Sequence, residues 1–260
     1  MVAADPFPVP DSVLGKTMAI LHAFHPEDRA LALAELVRRT GLHKATAHRL
    51  AGDLVTHGLL DRVEGGYRLS DRLFELGMLA SRQRELHEMA TPFLQDLYER
   101  THETVHLGVR DGHEVVYVAK ITGHRRSRAP SRAGGRMPLT CTGIGKALLA
   151  HSAPVVQREV LNAPMERRTP RTIVAPGILH RQLGKIRQTG IAFEHEESAL
   201  GVTCVAAAVI GPDDEPVAAI SVTGPVGRFR PQAYAHAVRT AAGAVSSLLT
   251  GVTDRYDPRC

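Results

Sequence analysis

Tryptophan is missing from this 260-residue chain, so intrinsic fluorescence gives little signal for ligand titrations. Cysteine is scarce: Cys141, Cys204 and Cys260 are too few and too scattered for a disulfide or zinc framework. A reducing, cytoplasmic setting is the simplest expectation. No apolar run is long enough to span a bilayer, which excludes a membrane-embedded reading. Met1 to Pro10 lacks a basic stretch followed by an apolar one, so it does not read as a signal peptide. Pro6, Pro8 and Pro10 suggest a loose arm there. Acid is missing from one window: between Leu36 and Gly52 there is no Asp or Glu, while Arg38, Arg39, Lys44 and Arg49 are present. The chain's net charge is +5, compatible with a polyanionic partner, and this window is where the N-terminal part is basic.

What is there is an ordinary globular mix, 43% hydrophobic and 23% charged, with enough length for one large domain or two small ones. Val13, Leu14, Thr17, Met18, Leu21 and Phe24 recur at three- and four-residue steps, which predicts a helix over Ser12–Phe24 capped by Ser12. A second helix is expected from Leu33 to Thr40, buried through Leu33, Leu36 and Val37 and ended by Gly41. A third is expected from Lys44 to about His57, with Ala47, Leu50, Leu54 and Val55 inward. Leu59–Val63 and Tyr67–Leu69 alternate as strands around a Glu64-Gly65-Gly66 turn. Helix, short helix, glycine turn, helix, hairpin is the order of a winged helix-turn-helix, whose third helix enters the major groove.

On that reading the groove-facing side chains are His43, Lys44, Thr46 and Arg49. Arginine can donate two hydrogen bonds to a guanine edge, and lysine and threonine suit phosphates or thymine methyls. Arg38 and Arg39 are placed to neutralise phosphate, and Arg68 in the hairpin to reach backbone or minor groove. The competing reading is a winged helix used for protein contacts; a basic pair on a helix is by itself usually a solvated face.

Arg72 to Arg100 is expected to be mainly helical, with Leu73, Leu76, Leu79, Leu86, Met89, Phe93 and Leu97 as a seam that packs on its own domain or pairs with a second subunit. Pro92 marks a break or a new helix start. Beyond it, a hairpin carries Val105, Leu107 and Val109 on one face and returns through Val115–Val118. Helices are expected at Gly143–His151, Ile178–Thr189 and Pro231–Leu249, and strands at Gly201–Ile210 and Pro216–Thr223. Paired strands with helices before and after give an α+β sandwich. The expected organisation is a winged helix-turn-helix over residues 10–70, a linker helix over 71–88 and an α/β (α+β) domain over 89–252.

Three motifs suggest an enzyme. His102-Glu103-Thr104-Val105-His106 spells a metalloprotease string, but its second half favours strand. Residues four apart on a strand lie roughly 13 Å from one another, too far to share a zinc ion. Gly143-Ile144-Gly145-Lys146 hints at a phosphate loop, yet Thr140 and Ala147 break that pattern and Leu148 breaks the dinucleotide one. Thr142 can still cap a helix whose first N–H groups attract a carboxylate, a plain helix start being the competing reading. His195-Glu196-Glu197 stands near Cys204 in sequence, but Cys204 sits in an apolar run where a buried thiol is the default. No catalytic residues, metal or cofactor are therefore expected. The alternative is a small-acid hydrolase or metalloenzyme with a winged-helix tether.

Several segments resemble the IclR family of bacterial transcription regulators: Leu33–Leu36 with Gly41–Leu50, Gly58–Leu60 with Gly66–Leu69, Leu73–Gly77, Cys141–Ala147, Glu196–Ala207 and Ala218–Pro225. The resemblance runs from about Ser12 to Leu249. It implies a winged-helix domain, a linker helix and a GAF-like effector-binding domain. It also implies a homodimer or homotetramer, a double-stranded DNA operator and a small carboxylic or aromatic acid as effector, with repression the favoured sign. Carried over by motif, the effector pocket falls on Met137, Gly143, Ile144, Glu194, Cys204, Ser221 and Thr223. Glu194 stands where a glyoxylate- or pyruvate-type pocket has Asp, and Thr223 where it has Ser, so both narrow the space.

Overall fold

The computed structural model describes residues 11–123 and 129–253. The loose arm expected before Asp11, and Cys260, lie outside them. The chain divides into two units, up to Arg84 and from Glu85 onward. Among the described residues no helix is long and apolar enough to cross a membrane.

The first unit holds α1 (Val13–His22), α2 (Leu33–Thr40), α3 (Lys44–Thr56), β1 (Leu60–Val63), β2 (Gly66–Leu69) and α4 (Arg72–Met78). Ser12 caps α1 by accepting from the Gly15 N–H at 2.9 Å, which satisfies one of the donors a helix start leaves open. Gly41 ends α2 at φ 69°, a left-handed conformation that glycine adopts without strain. The core gathers Ile20, Leu36, Ala47, Leu50, Ala51, Leu54, Leu60 and Tyr67. Leu31 bridges to Tyr67, so the β1–β2 hairpin gains a third backbone neighbour.

Three expectations change here. The α1 stripe is only partly used: Leu21 and Phe24 are half-buried, Val13, Leu14 and Met18 stay exposed, and the buried residue of α1 is Ile20, outside the stripe. Leu33, Val37 and Val55 are half-buried, because the short α2 and the last turn of α3 present only Leu36 and Leu54 squarely to the core. The helical stretch after the wing breaks at Leu79-Ala80, between α4 and α5 (Ser81–Thr101), and runs through Pro92. Proline removes one ladder donor, a loss that the burial of Leu86, Ala90, Leu94 and Leu97 around it offsets.

The second unit is built on an antiparallel six-stranded sheet ordered β5-β4-β3-β8-β7-β6. Its strands are β3 (Thr104–Asp111), β4 (Glu114–Ile121), β5 (Arg136–Pro138), β6 (Ala192–His195), β7 (Val202–Ile210) and β8 (Pro216–Pro225). The helices beside α5 are α6 (Gly143–His151), α7 (Pro154–Asn162), α8 (Pro176–Thr189) and α9 (Pro231–Thr253). Side chains alternate across a strand, so the sheet has two different faces. Val105, Leu107, Val205, Ala207, Ile220 and Val222 pack with α5 and α9. Val115, Tyr117, Ala206 and Ala219 pack with α6 and α8 on the other side. A register shift beside Leu107 and Gly108 sets Tyr117 opposite Gly108 and Ala119 opposite Leu107. It turns Tyr117 and Lys120 toward the α6 face, where the cavity described below lies. The mixed helix-and-sheet architecture agrees with the α+β reading. The short strands β5 and β6 and helix α7 were not anticipated, since three- and four-residue strands carry too little periodicity to read.

Candidate DNA-reading face and effector pocket

In the first unit, α3 begins after His43, which stands at the N-cap position without a side-chain cap bond. His43, Lys44 and Arg49 are exposed, Thr46 is half-buried, and Ala47 and Leu50 turn inward. His48, which the sequence reading passed over, is exposed on the same helix. Arg49 donates to Asp53 one turn on at 3.1 Å, both side chains being more than half exposed. Such a surface pair is worth little and is easily exchanged for a nucleic acid contact. Arg68 pairs with Asp61 across the hairpin at 2.7 Å and is also exposed.

The basic pair on α2 separates into two roles. Arg38 is 71% exposed and pairs with Glu35. Arg39 is 18% exposed, and its guanidinium donates to Asp28, to Glu35 and to the Ala23 carbonyl. Arg39 holds the Asp28 carboxyl below its ordinary value, and hydrogen bonds from Arg38 and then Arg39 hold Glu35 down at about 2. The donors of Arg39 tie α2 to the chain around Ala23 and Asp28, a structural use beside the phosphate role expected of it, and Arg38, held only by Glu35, is the more exposed of the two.

In the second unit, a cavity of about 20 Å³ lies between the sheet and the start of α6. Met137, Gly143, Ile144, Glu194, Cys204, Ser221 and Thr223 all line it. They come from β5, α6, β6, β7 and β8, and register explains the convergence: Glu194 faces Cys204, and Cys204 faces Thr223, across neighbouring strands. Thr142 caps α6 by accepting from the Gly145 N–H at 3.0 Å. The first N–H groups of α6 belong to Gly143 and Ile144, and such groups have no partner within the helix. A Cβ on Gly143 would fall 2.8 Å from Cys204 Sγ, so glycine is what lets α6 start this close to β7.

The electrostatics of the pocket follow from burial. Desolvation raises the Glu194 carboxyl to about 7, against hydrogen bonds that favour its charged form. Its Oε1 accepts from the Glu197 N–H at 2.6 Å, the Ser198 N–H at 3.0 Å and Ser198 Oγ at 3.3 Å. Glu194 thus fastens the following loop while one edge of it lines the cavity. Burial pushes the Cys204 thiol up to about 12, leaving it protonated. His106, Tyr117, Ser131, Thr142 and Ser198 also line the cavity and are not among the pocket residues carried over by motif. Their signal was weak: His106 had been weighed as a zinc ligand, and Ser131 sits in an irregular segment.

The enzyme motifs come apart in three dimensions. His102 ends α5 with φ 52° while His106 is a strand residue of β3, so they share no helical turn. No group of His, Cys, Asp or Glu suited to a metal ion occurs among the described residues. A buried thiol with a raised pKa is a poor nucleophile.

A helix-turn-helix unit with a basic exposed helix, followed by a domain with a small pocket of mixed polar and apolar lining, defines a ligand-responsive transcription regulator. Residues 13–64 match the IclR helix-turn-helix domain, and residues 78–247 match the bacterial transcriptional regulator IclR C-terminal domain. The chain belongs to the IclR family. Among its relatives, the transcriptional regulator XynR of Escherichia coli is 34% identical, over 80% of this chain and 84% of that one. The transcriptional repressor IclR of the same organism is 31% identical, over 83% of this chain and 81% of that one. A solved IclR homologue from Microbacterium hydrocarbonoxydans, complexed with 4-hydroxybenzoate, superposes with a TM-score of 0.86 at 28% identity. That match covers 92% of this chain and 100% of the other. These relatives are regulators, and the hydrolase or metalloenzyme alternative finds no support among them.

Proposed function

We propose that this regulator reads its operator with His43, Lys44, Thr46 and Arg49 of α3, aided by Arg38 and Arg68, and that a small carboxylic or aromatic acid bound against α6 sets its affinity for that operator. The observation that supports this reading is the cavity: the residues expected from motif alone line one space at a helix N-terminus. Helix N–H groups, hydroxyls and a thiol make a set of neutral donors suited to an anionic oxygen. The 4-hydroxybenzoate of the solved homologue is an acid of this kind.

The assembly is a homodimer or homotetramer acting in the cytoplasm, with two recognition helices in successive major grooves. The operator is then a near-palindrome with half-sites about 10 bp apart or a multiple. Repression is the favoured sign, as in the named repressor among the relatives. The acid acts only through its different affinity for the DNA-binding and released states. Anisotropy titrations on DNA flanking the regulator's own gene, at fixed salt, test this reading. An operator affinity that no acid of a broad panel alters counts decisively against it.

A further inference from the structure

His106 is a buried titratable group of the cavity wall outside the pocket residues carried over by motif. It is 2% exposed on β3, with Nε2 2.7 Å from Ser131 Oγ and Nδ1 3.4 Å from Ser221 Oγ. Its ring packs against Tyr117 at a centroid distance of 5.1 Å. Burial, with the Lys120 ammonium nearby, holds its pKa down at about 3, so the imidazole is neutral. A neutral imidazole offers one donor and one acceptor and no charge. It suits a hydroxyl or carbonyl oxygen better than a carboxylate.

Ser131 is the other half of the arrangement. Its carbonyl accepts from Lys120 Nζ at 2.5 Å, and it lines the cavity together with Ala129 and Pro130. The cavity of about 20 Å³ has room for about one water molecule. An acid enters only if part of the lining yields. The sheet and α6 are held by backbone ladders, whereas Ala129–Ser131 belongs to no helix or strand. Among the described residues, the hydrogen bonds that tie that strap to the sheet are those of Ser131 with His106 on β3 and Lys120 on β4.

Position adds the ligand class. The start of α6 lies over Cys204 on β7, while His106 stands two strands away on β3, across β8. Two strand spacings separate their backbones by about 10 Å. A ligand with its carboxylate at α6 therefore meets His106 with an oxygen several bonds from that carboxylate.

We propose that His106 is a specificity residue of the pocket: it clasps Ser131 of the Ala129–Ser131 strap in the empty protein, and on binding it exchanges that hydroxyl for a hydroxyl or carbonyl oxygen at the far end of a small acid. This rests on the effector-site reading above. The probes are 4-hydroxybenzoate and benzoate, which differ only in that far oxygen. Calorimetric titrations of the full chain, His106→Phe, His106→Gln and Ser131→Ala test it, with thermal unfolding as the check on folding.

The wild type should favour the hydroxy acid by about tenfold, the worth of one good hydrogen bond. His106→Phe should bring the ratio close to one, and His106→Gln should keep most of it. Ser131→Ala should tighten both acids by a similar factor, because the strap no longer has to give up its hydrogen bond to the imidazole before either acid enters. A preference that His106→Phe and His106→Gln both leave unchanged overturns the assignment, as does a Ser131→Ala protein with wild-type affinities. If His106→Phe does not fold, the Gln and Ser131 variants decide. If the wild type binds neither probe nor any of a panel pairing hydroxy and keto acids with their parent acids, the effector-site reading falls too. Binding without dependence on His106 overturns this inference alone.

Discussion

Lys146, fully buried in α6, forms an ion pair with Glu197, which lies in the loop that follows β6. The pair fastens that loop to the helix whose first turn lines the pocket. Glu197 also donates its backbone N–H to Glu194, so one buried charge pair positions a cavity carboxyl. Lys146→Met leaves the Glu197 carboxylate buried without its ammonium. The expected loss is about 3–5 kcal/mol of stability in urea unfolding. Adding Glu197→Leu to Lys146→Met should recover most of it, because the uncompensated charge and not the missing pair carries the cost. A double variant as unstable as the single one would speak against this account.

Glu194 gives the pocket a pH response. Its carboxyl is raised from 4.5 to about 7, so below that pH it is neutral and tolerates an anionic ligand beside it. Above it, binding an acid demands either proton uptake or two like charges in one cavity, and affinity should fall by up to about tenfold per pH unit. The other titratable groups lining the cavity lie outside this range: burial holds His106 down at about 3, pushes Cys204 up to about 12 and raises the Tyr117 hydroxyl above its ordinary value. Glu194→Gln should therefore flatten the profile between pH 6 and pH 9. The stability term has a matching sign. The folded chain holds this proton up to a pH of about 7 and the unfolded chain only to about 4.5. Its contribution is full below the lower value and declines as pH rises to the upper one. Calorimetry across pH checks the first claim, and unfolding across pH the second.

Arg49 and Lys44 should fail differently on DNA. Arg49→Ala is expected to cost about 1–3 kcal/mol on operator and far less on random DNA, since a base contact is lost. Lys44→Ala should weaken both alike and flatten the salt dependence, as loss of a phosphate contact does. Anisotropy over a salt series separates the two. Equal losses on both DNAs for both variants would refute base reading by Arg49.

Arg39→Ala should act on stability and leave the DNA salt slope in place. Its guanidinium is shared among Asp28, Glu35 and the Ala23 carbonyl. Hydrogen bonds to charged groups contribute about 1.5–3 kcal/mol. A loss of that order in unfolding, with little change in the salt slope, is expected. The same substitution at Arg38, 71% exposed, should do the reverse.

Most of the helices and the long strands were legible from periodicity, because a stripe of apolar residues survives any tertiary setting. The N-cap residues Ser12 and Thr142 and the stop at Gly41 were legible for a local reason: each acts on backbone within a few residues. Pro92 misled, since a missing ladder bond looks decisive in sequence and is outweighed by packing on both sides of it. The pocket was found through motif likeness and not through spacing. Its members stretch from Met137 to Thr223, and no periodicity links them.

The order of the long helices and strands and the basic window over α3 were determined by the sequence itself, because they rest on local backbone preference and on charge, and the family followed from motif likeness. Only the tertiary structure decided that Arg39 braces α2 against Asp28 while Arg38 stays exposed beside Glu35, that His106 faces Ser131, and that burial raises the Glu194 carboxyl to about 7. Those outcomes depend on which side chains meet and how much water reaches them. Strand register and burial set that, and neither is written in the neighbours of any one residue.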